Sequence, residues 1–215
     1  QQTFNFIITR SAHLSYVYNE VLSYRALKQY PEYRGKYGHE EVDCAMVKAK
    51  LVDDMFARLL QELEENGELE HTVIVAYTDH YTYGFKDENV LYAESGVEDA
   101  LLLEKTPFFI WSADGPSMEV TKTCNTSDIL PTVLNLMGVK SPYRYIGQDA
   151  FDPRYEGYAL FPNGSWVSQG FAYNVTDDRL MVLSEDGSQP SAEFCQQMSE
   201  IVMDFVRINN LILNT

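Results

Sequence analysis

From Glu40 to Asn66 the apolar residues fall at Val42, Ala45, Met46, Ala49, Val52, Phe56, Leu59, Leu60 and Leu63, and no other feature of the 215 residues limits the fold as much. That i, i+3, i+4, i+7 spacing predicts one long amphipathic helix. Asn66-Gly67 supplies its C-terminal stop. "HTVIVAY" (71–77) follows at once and reads as a short buried strand, as does "TFNFIITR" (3–10) before the helix. Strand, long helix, strand is a βαβ unit, which implies parallel strands joined by a right-handed crossover. The expected fold class is therefore α/β with a parallel-sheet core.

Residues 14–40 carry six tyrosines and little periodicity, so they read as a packed aromatic stretch with one short helix near 19–29. "TPFFIWSA" (106–113) is a third strand. "TSDILPTVLNLMG" is a helix with Thr126 or Ser127 as N-cap, Pro131 in the first turn and Gly138 as the stop. After Gly138 the texture changes to strand-like runs separated by Pro-Asn-Gly, Thr-Asp-Asp and Glu-Asp-Gly turns. This predicts a small antiparallel sheet closed by a helix over 191–210. The expected division is 1–140 as part of an α/β core and 141–215 as an antiparallel β subdomain with a terminal helix.

A net charge of −16, from 16 basic and 32 acidic residues, argues against nucleic acid and against a broad anionic lipid surface. A small anionic substrate remains compatible where a metal cation supplies the local charge. The longest apolar runs, Val73–Tyr77 and Phe108–Trp111, are too short to span a bilayer. Cys44, Cys124 and Cys195 are widely spaced and odd in number, which excludes a disulfide framework or a cysteine zinc site as the organising feature. The chain opens on a strand-like run with no leader sequence, so it reads as part of something longer.

Ligands of open α/β sheets bind beyond the carboxyl ends of parallel strands. His13 and the Asp79-His80 pair both follow apolar strand-like runs. Neighbours on a strand point to opposite faces, so Asp79 and His80 share a metal only where the backbone has left the β conformation. A carboxylate with an imidazole suits Mn, Zn or Mg. His39 and His71, at helix and strand ends, read as structural. A divalent site usually needs about four ligands, and the chain offers two convincing ones. It has no G-x-S-x-G elbow, P-loop or H-E-x-x-H, so the nucleophile and the remaining ligands are expected outside it.

The order of "IITRSAH", "VDDMFARLLQELEENGELEHTVIVAYTDHY", "KTPFFIW" and "SDILPTVLNLMGV", continued by "YIGQDAFD", "FPNGSWVSQGFAYN" and "VRINNLILNT", resembles the second half of the sulfatase-like catalytic domain of the lipoteichoic acid synthase family. That family belongs to the alkaline phosphatase superfamily. The resemblance implies a metal-dependent phosphoglycerol transfer from phosphatidylglycerol through a threonine nucleophile, with one divalent ion, usually Mn (Mg, Zn or Ca being alternatives). It implies that Asp79 and His80 ligate that metal and that His13 contacts the phosphoryl or glycerol group. It also implies an extracytoplasmic site on a bacterial membrane, anchored by a segment absent from this sequence, and no activity for this chain alone. A sulfatase, a phosphoethanolamine transferase and a non-catalytic module of the same fold are the alternatives. The sequence departs from the family pattern at Ser11-Ala12-His13-Leu14-Ser15-Tyr16, where Ser-Gly-His-x-Pro-Tyr is usual. It departs again at Thr78-Asp79-His80-Tyr81-Thr82, where Gly-Asp-His-Tyr-Gly is usual. These changes bear on the substrate more than on the metal.

Overall fold

The computed structural model describes residues 3–213, which form two compact units, Gln1–Gly115 and Pro116–Thr215. In the first unit, α1 (Val21–Gln29) packs on the long α2 (Glu40–Glu65), and the β-hairpin-like pair β1 (Val73–Tyr77) and β2 (Phe108–Ser112) lies beyond it. Two short helices, α3 (Glu88–Ser95) and α4 (Ala100–Leu103), occupy the connection between the strands. Neither is long enough to show an amphipathic period in the sequence. Each is started by an aspartate side chain, Asp87 and Asp99, that accepts an amide of the first turn.

The long helix forms where the apolar stripe places it. Its end is a Schellman motif, with Gly67 at φ +70° and the amides of Gly67 and Glu68 donating to Glu64 and Leu63. Its buried face differs from the predicted one in the first half. Glu41, Val42, Asp43, Cys44, Val47 and Lys48 are buried, while Met46 and Ala49 face out. Tyr16, Ala26, Leu27 and Phe85 complete this core, with Tyr18, Tyr30, Tyr33 and Tyr37 packed around it. The tyrosine-rich stretch is thus a packed aromatic shell. The second half of α2 covers the strand pair through Phe56, whose ring lies 5.8 Å from that of Phe109.

The expected βαβ unit is absent among the described residues. Residues 3–10 are assigned to no strand, and Phe4, Phe6, Ile7 and Ile8 stand in solvent at 89, 68, 70 and 75% exposure. The apolar pattern was read correctly, but a strand also needs a ladder partner, and none of the described residues provides one. The one strand pair of this unit, β1 with β2, is antiparallel, from Val73 opposite Ser112 to Tyr77 opposite Phe108. The observed class is mixed helix and sheet, and the parallel pairing inferred from a strand–helix–strand order is not formed.

The second unit begins with a 3₁₀ turn (Thr126–Asp128) running into α5 (Ile129–Leu136). The cap is Asn125, whose amide donates to the Asp128 carboxylate at 2.8 Å, rather than Thr126 or Ser127. The extra 3₁₀ turn moves the start back. Gly138 ends the helix as expected, with Val139 donating to Leu134. Four antiparallel strands follow in chain order, β3 (Tyr158–Leu160), β4 (Trp166–Ser168), β5 (Phe171–Asn174) and β6 (Arg179–Val182). The closing helix α6 (Ala192–Leu213) lays Met198, Val202 and Phe194 on Leu160 and Trp166. Compact packing divides the chain after Gly115, whereas the change of texture suggested 140. The reason is polar: α5 is tied to residues 148–155 by Asp128 and Thr132, which accept the amides of Gln148 and Ala150 at 2.7 and 2.9 Å.

Candidate metal and substrate site

The first turn of α2 carries Glu40, Glu41 and Asp43, and each holds a different piece of irregular chain. Glu40 accepts the Tyr18 amide at 2.6 Å. Asp43 accepts the Tyr18 hydroxyl at 2.5 Å and the amides of Gly35 and Tyr37 at 2.6 and 2.9 Å. Glu41 accepts the Lys86 amide through both oxygens, at 3.0 and 3.1 Å. Carboxylates suit this end of the helix, where the macrodipole is positive. Burial pushes the Asp43 carboxyl up, but its hydrogen bonds from Tyr18, Tyr37 and Gly35 outweigh that and hold it below the usual range.

Two turns on, Lys48 is fully buried and points its ammonium at the other loop. It donates to the carbonyls of His13 and Ser15 and to Glu20, all at 2.9 Å. The loops bearing His13 and His80 are therefore both anchored on one helix and also touch each other. The Tyr16 and Phe85 rings lie 5.0 Å apart, and Gly84, at φ +81°, leaves only 3.1 Å between a notional Cβ and Leu14. Any larger residue at 84 would push on the Leu14 side chain and would itself sit in a backbone conformation that favours glycine.

This framework brings the three predicted residues together. β1 ends at Tyr77, so Asp79 and His80 lie beyond the strand, as sharing one face requires. The His80 Nε2 to Asp79 Oδ1 distance is 3.5 Å. Two ligands at ~2.1 Å from one ion, ~90–110° apart, have donors roughly 3.0–3.5 Å from each other, so the pair fits a shared cation. The His13 ring lies 6.2 Å from that of His80, edge-on. In both histidines Nδ1 meets the carbonyl of the next residue, Leu14 at 2.9 Å and Tyr81 at 2.8 Å. A carbonyl only accepts, so Nδ1 carries a proton, and in the neutral ring Nε2 then presents the lone pair. Tyr83 packs on His80 with ring centroids 4.5 Å apart. Burial, then Glu104 and Glu88, push the Tyr81 phenol up and keep it protonated.

Among the described residues no group of three or more His, Cys, Asp and Glu is arranged to hold a metal. Asp79 and His80 are two donors, with Asp79 largely exposed. His39 and His71 lie apart from them, at the N-cap of α2 and at the end of the 3₁₀ turn Leu69–His71. Lys48, Glu41 and Asp43 are not marked out by any motif in the sequence. Their only signal is that they sit beside Val42, Cys44 and Val47, where a polar helix face is not expected.

Residues 1–139 match the family model described as Sulfatase, and the chain belongs to that family. Within it the chain is lipoteichoic acid synthase-like. It is 26% identical over 140 residues to lipoteichoic acid synthase 2 of Bacillus subtilis, covering 62% of this chain and 22% of that protein. It is also 26% identical over 144 residues to the lipoteichoic acid synthase of Staphylococcus saprophyticus, covering 63% and 22%. The crystal structure of the lipoteichoic acid synthase LtaP from Listeria monocytogenes superposes with a TM-score of 0.61 at 19% identity, over 81% of this chain and 46% of that one. The chain thus spans about a fifth of the length of these curated relatives.

Proposed function

We propose that this chain is the carboxyl-terminal part of a metal-dependent transferase or hydrolase of phosphate or sulfate esters, and specifically of a phosphoglycerol transferase acting on phosphatidylglycerol. The observation that carries it is the 3.5 Å pair of Asp79 and His80, with His13 beside it, inside the segment that matches the sulfatase model. Asp79 and His80 would hold one divalent cation; their donors suit Mn, Zn or Mg, and the resemblance favours Mn. When bound, that ion polarises the ester oxygen and favours ionisation of a hydroxyl nucleophile. The nucleophile and the other ligands come from sequence outside this chain, as does the membrane anchor of an extracytoplasmic enzyme. Among the described residues no helix is long and apolar enough to cross a membrane. The parallel core belongs to the whole enzyme, with the uncovered 3–10 segment as one of its strands.

His13 contributes through Nε2. Neutral, with its proton on Nδ1 against Leu14, it accepts a hydrogen bond from a hydroxyl of the substrate. Once protonated at Nε2 it donates to a phosphoryl oxygen or to a leaving alkoxide.

The test is manganese binding by the full-length protein, followed through its thermal unfolding. Manganese is expected to raise the unfolding temperature, and Asp79→Asn with His80→Ala to remove the shift while changing the metal-free protein little. An identical shift in the double variant would sink the reading. Isolated residues 1–215 are expected to show no phosphoglycerol transfer.

A further inference from the structure

Lys48 is fully buried, at 0% exposure like Asp43 on the same helix, and nothing in the chemistry above uses it. A buried ammonium is tolerated only when its protons are matched. Lysine has three, and here each has one oxygen at 2.9 Å: His13 O, Ser15 O and a Glu20 carboxylate oxygen. Two of the three partners are main-chain carbonyls on either side of Leu14, whose own carbonyl takes the His13 Nδ1 proton. The rest of the segment is held more lightly. His13 N–H donates to Arg10 O at 3.2 Å and the Tyr16 hydroxyl to Ala12 O at 3.1 Å.

From this we infer that Lys48 is the positioning residue of the site: by clamping the carbonyls of His13 and Ser15 it aims the Leu14 carbonyl at His13 and so sets which ring nitrogen faces the substrate. The inference rests on the reading of His13 as the substrate-facing histidine. Its logic is that of an outer partner fixing a tautomer, moved one step further back, since Lys48 orients the backbone that orients the ring. Glu20 holds the ammonium in place at 2.9 Å. Burial pushes the Glu20 carboxyl up, but the amides of Leu22 and Ser23 together with Lys48 bring it down to about 2. The Glu20 carboxyl is thereby ionised near neutrality. The Tyr16 ring, 5.5 Å from the ammonium, closes the remaining side.

His80 provides an internal control, because its Nδ1 bond to Tyr81 O has no link to Lys48. Histidine ring nitrogens are observed by long-range ¹H–¹⁵N NMR on the ¹⁵N-labelled 215-residue chain, with His13 assigned through His13→Gln. Wild-type His13 and His80 are both expected in the Nδ1–H form. In Lys48→Met the His13 signals are expected to move toward the Nε2–H form, its population rising several-fold, while those of His80 stay. Lys48→Gln, which keeps two donors for the two carbonyls, is expected to restore most of the wild-type pattern. An unchanged His13 in Lys48→Met, or loss of both histidine patterns together in a folded variant, overturns the assignment. Where Lys48→Met does not fold, Glu20→Gln decides, since it leaves Lys48 and both carbonyl bonds in place. His13 then keeps its pattern, and losing it would show that the ion pair orders the segment and overturn the clamp. No metal or substrate is needed, so this outcome is independent of whether manganese binds Asp79 and His80.

Discussion

Asp43 and Asp128 perform the same structural task in the two units. Each is a buried aspartate that gathers backbone amides and a tyrosine hydroxyl onto the start of a helix. Asp43 holds Gly35, Tyr37 and Tyr18, and Asp128 holds Asn125, Gln148 and Tyr155. Their acidities nevertheless move in opposite directions. Burial outweighs three hydrogen bonds at Asp128 and raises its carboxyl, whereas at Asp43 the hydrogen bonds outweigh burial and lower it. Tyr155, buried and facing Asp128, is pushed far up in turn. Counting donors therefore does not fix the charge of a buried acid. The first unit surrounds its site loops with ionised groups, and the second relies on a carboxyl that resists ionisation.

The comparison breaks most sharply at Gly147. A Cβ there would lie 1.9 Å from the Ser127 carbonyl oxygen, a backbone atom that cannot step aside. Gly147→Ala is expected to push Gln148 off Asp128 and cost about 4 kcal/mol. Amide exchange should show the loss over 125–155 and leave 16–48 unaffected, and loss in both segments would contradict the two-unit description. Next comes Asp43→Ala, which leaves two amides and a hydroxyl without their acceptor and is expected to cost about 3 kcal/mol. The exchange pattern should be the reverse, with His13 and His80 signals broadened as their loops loosen.

Acid sharpens the contrast with a smaller effect. The Glu20 and Asp43 carboxyls each have a lowered pKa, so their contribution is present above the ordinary carboxylate range and is lost as pH falls below it, toward about 2 for Glu20. Asp128 has a raised one. Its contribution is complete below the ordinary range and is lost as pH rises through its higher value. Opening free energies measured between about pH 2 and pH 6 should fall on acidification in 16–48, whereas in 125–155 the raised Asp128 opposes the lowered Asp152. Asp128→Asn should remove that opposition and make only the second profile fall more steeply on acidification.

The sequence disclosed those parts that local pattern determines. The α2 stripe, the four-stranded antiparallel sheet, the Gly67 and Gly138 stops and the position of Asp79-His80 just past a strand are all of this kind. Two things were hidden. The first was pairing, because "TFNFIITR" reads as a strand whether or not a partner lies beside it, and β1 took β2 in antiparallel register. The second was the identity of the buried face at the start of α2. Glu41, Asp43 and Lys48 count as solvent-facing in any hydrophobic pattern, and they are buried because irregular loops bring unpaired amides and carbonyls to them. The place of Asp79-His80 just past a strand was thus readable, while the polar framework that holds the neighbouring loops was not.

The uncovered 3–10 segment also governs how copies of this chain behave toward each other. It presents apolar side chains and unpaired backbone groups together, the combination that templates strand addition between molecules. At neutral pH the net charge of −16 holds copies apart. As acid neutralises the 32 carboxyl-bearing residues, that repulsion fades while the sticky edge persists, so solubility should fail in mild acid before either unit unfolds. A solution study of this chain would meet that boundary as a precipitation limit, set by Phe4, Phe6, Ile7 and Ile8.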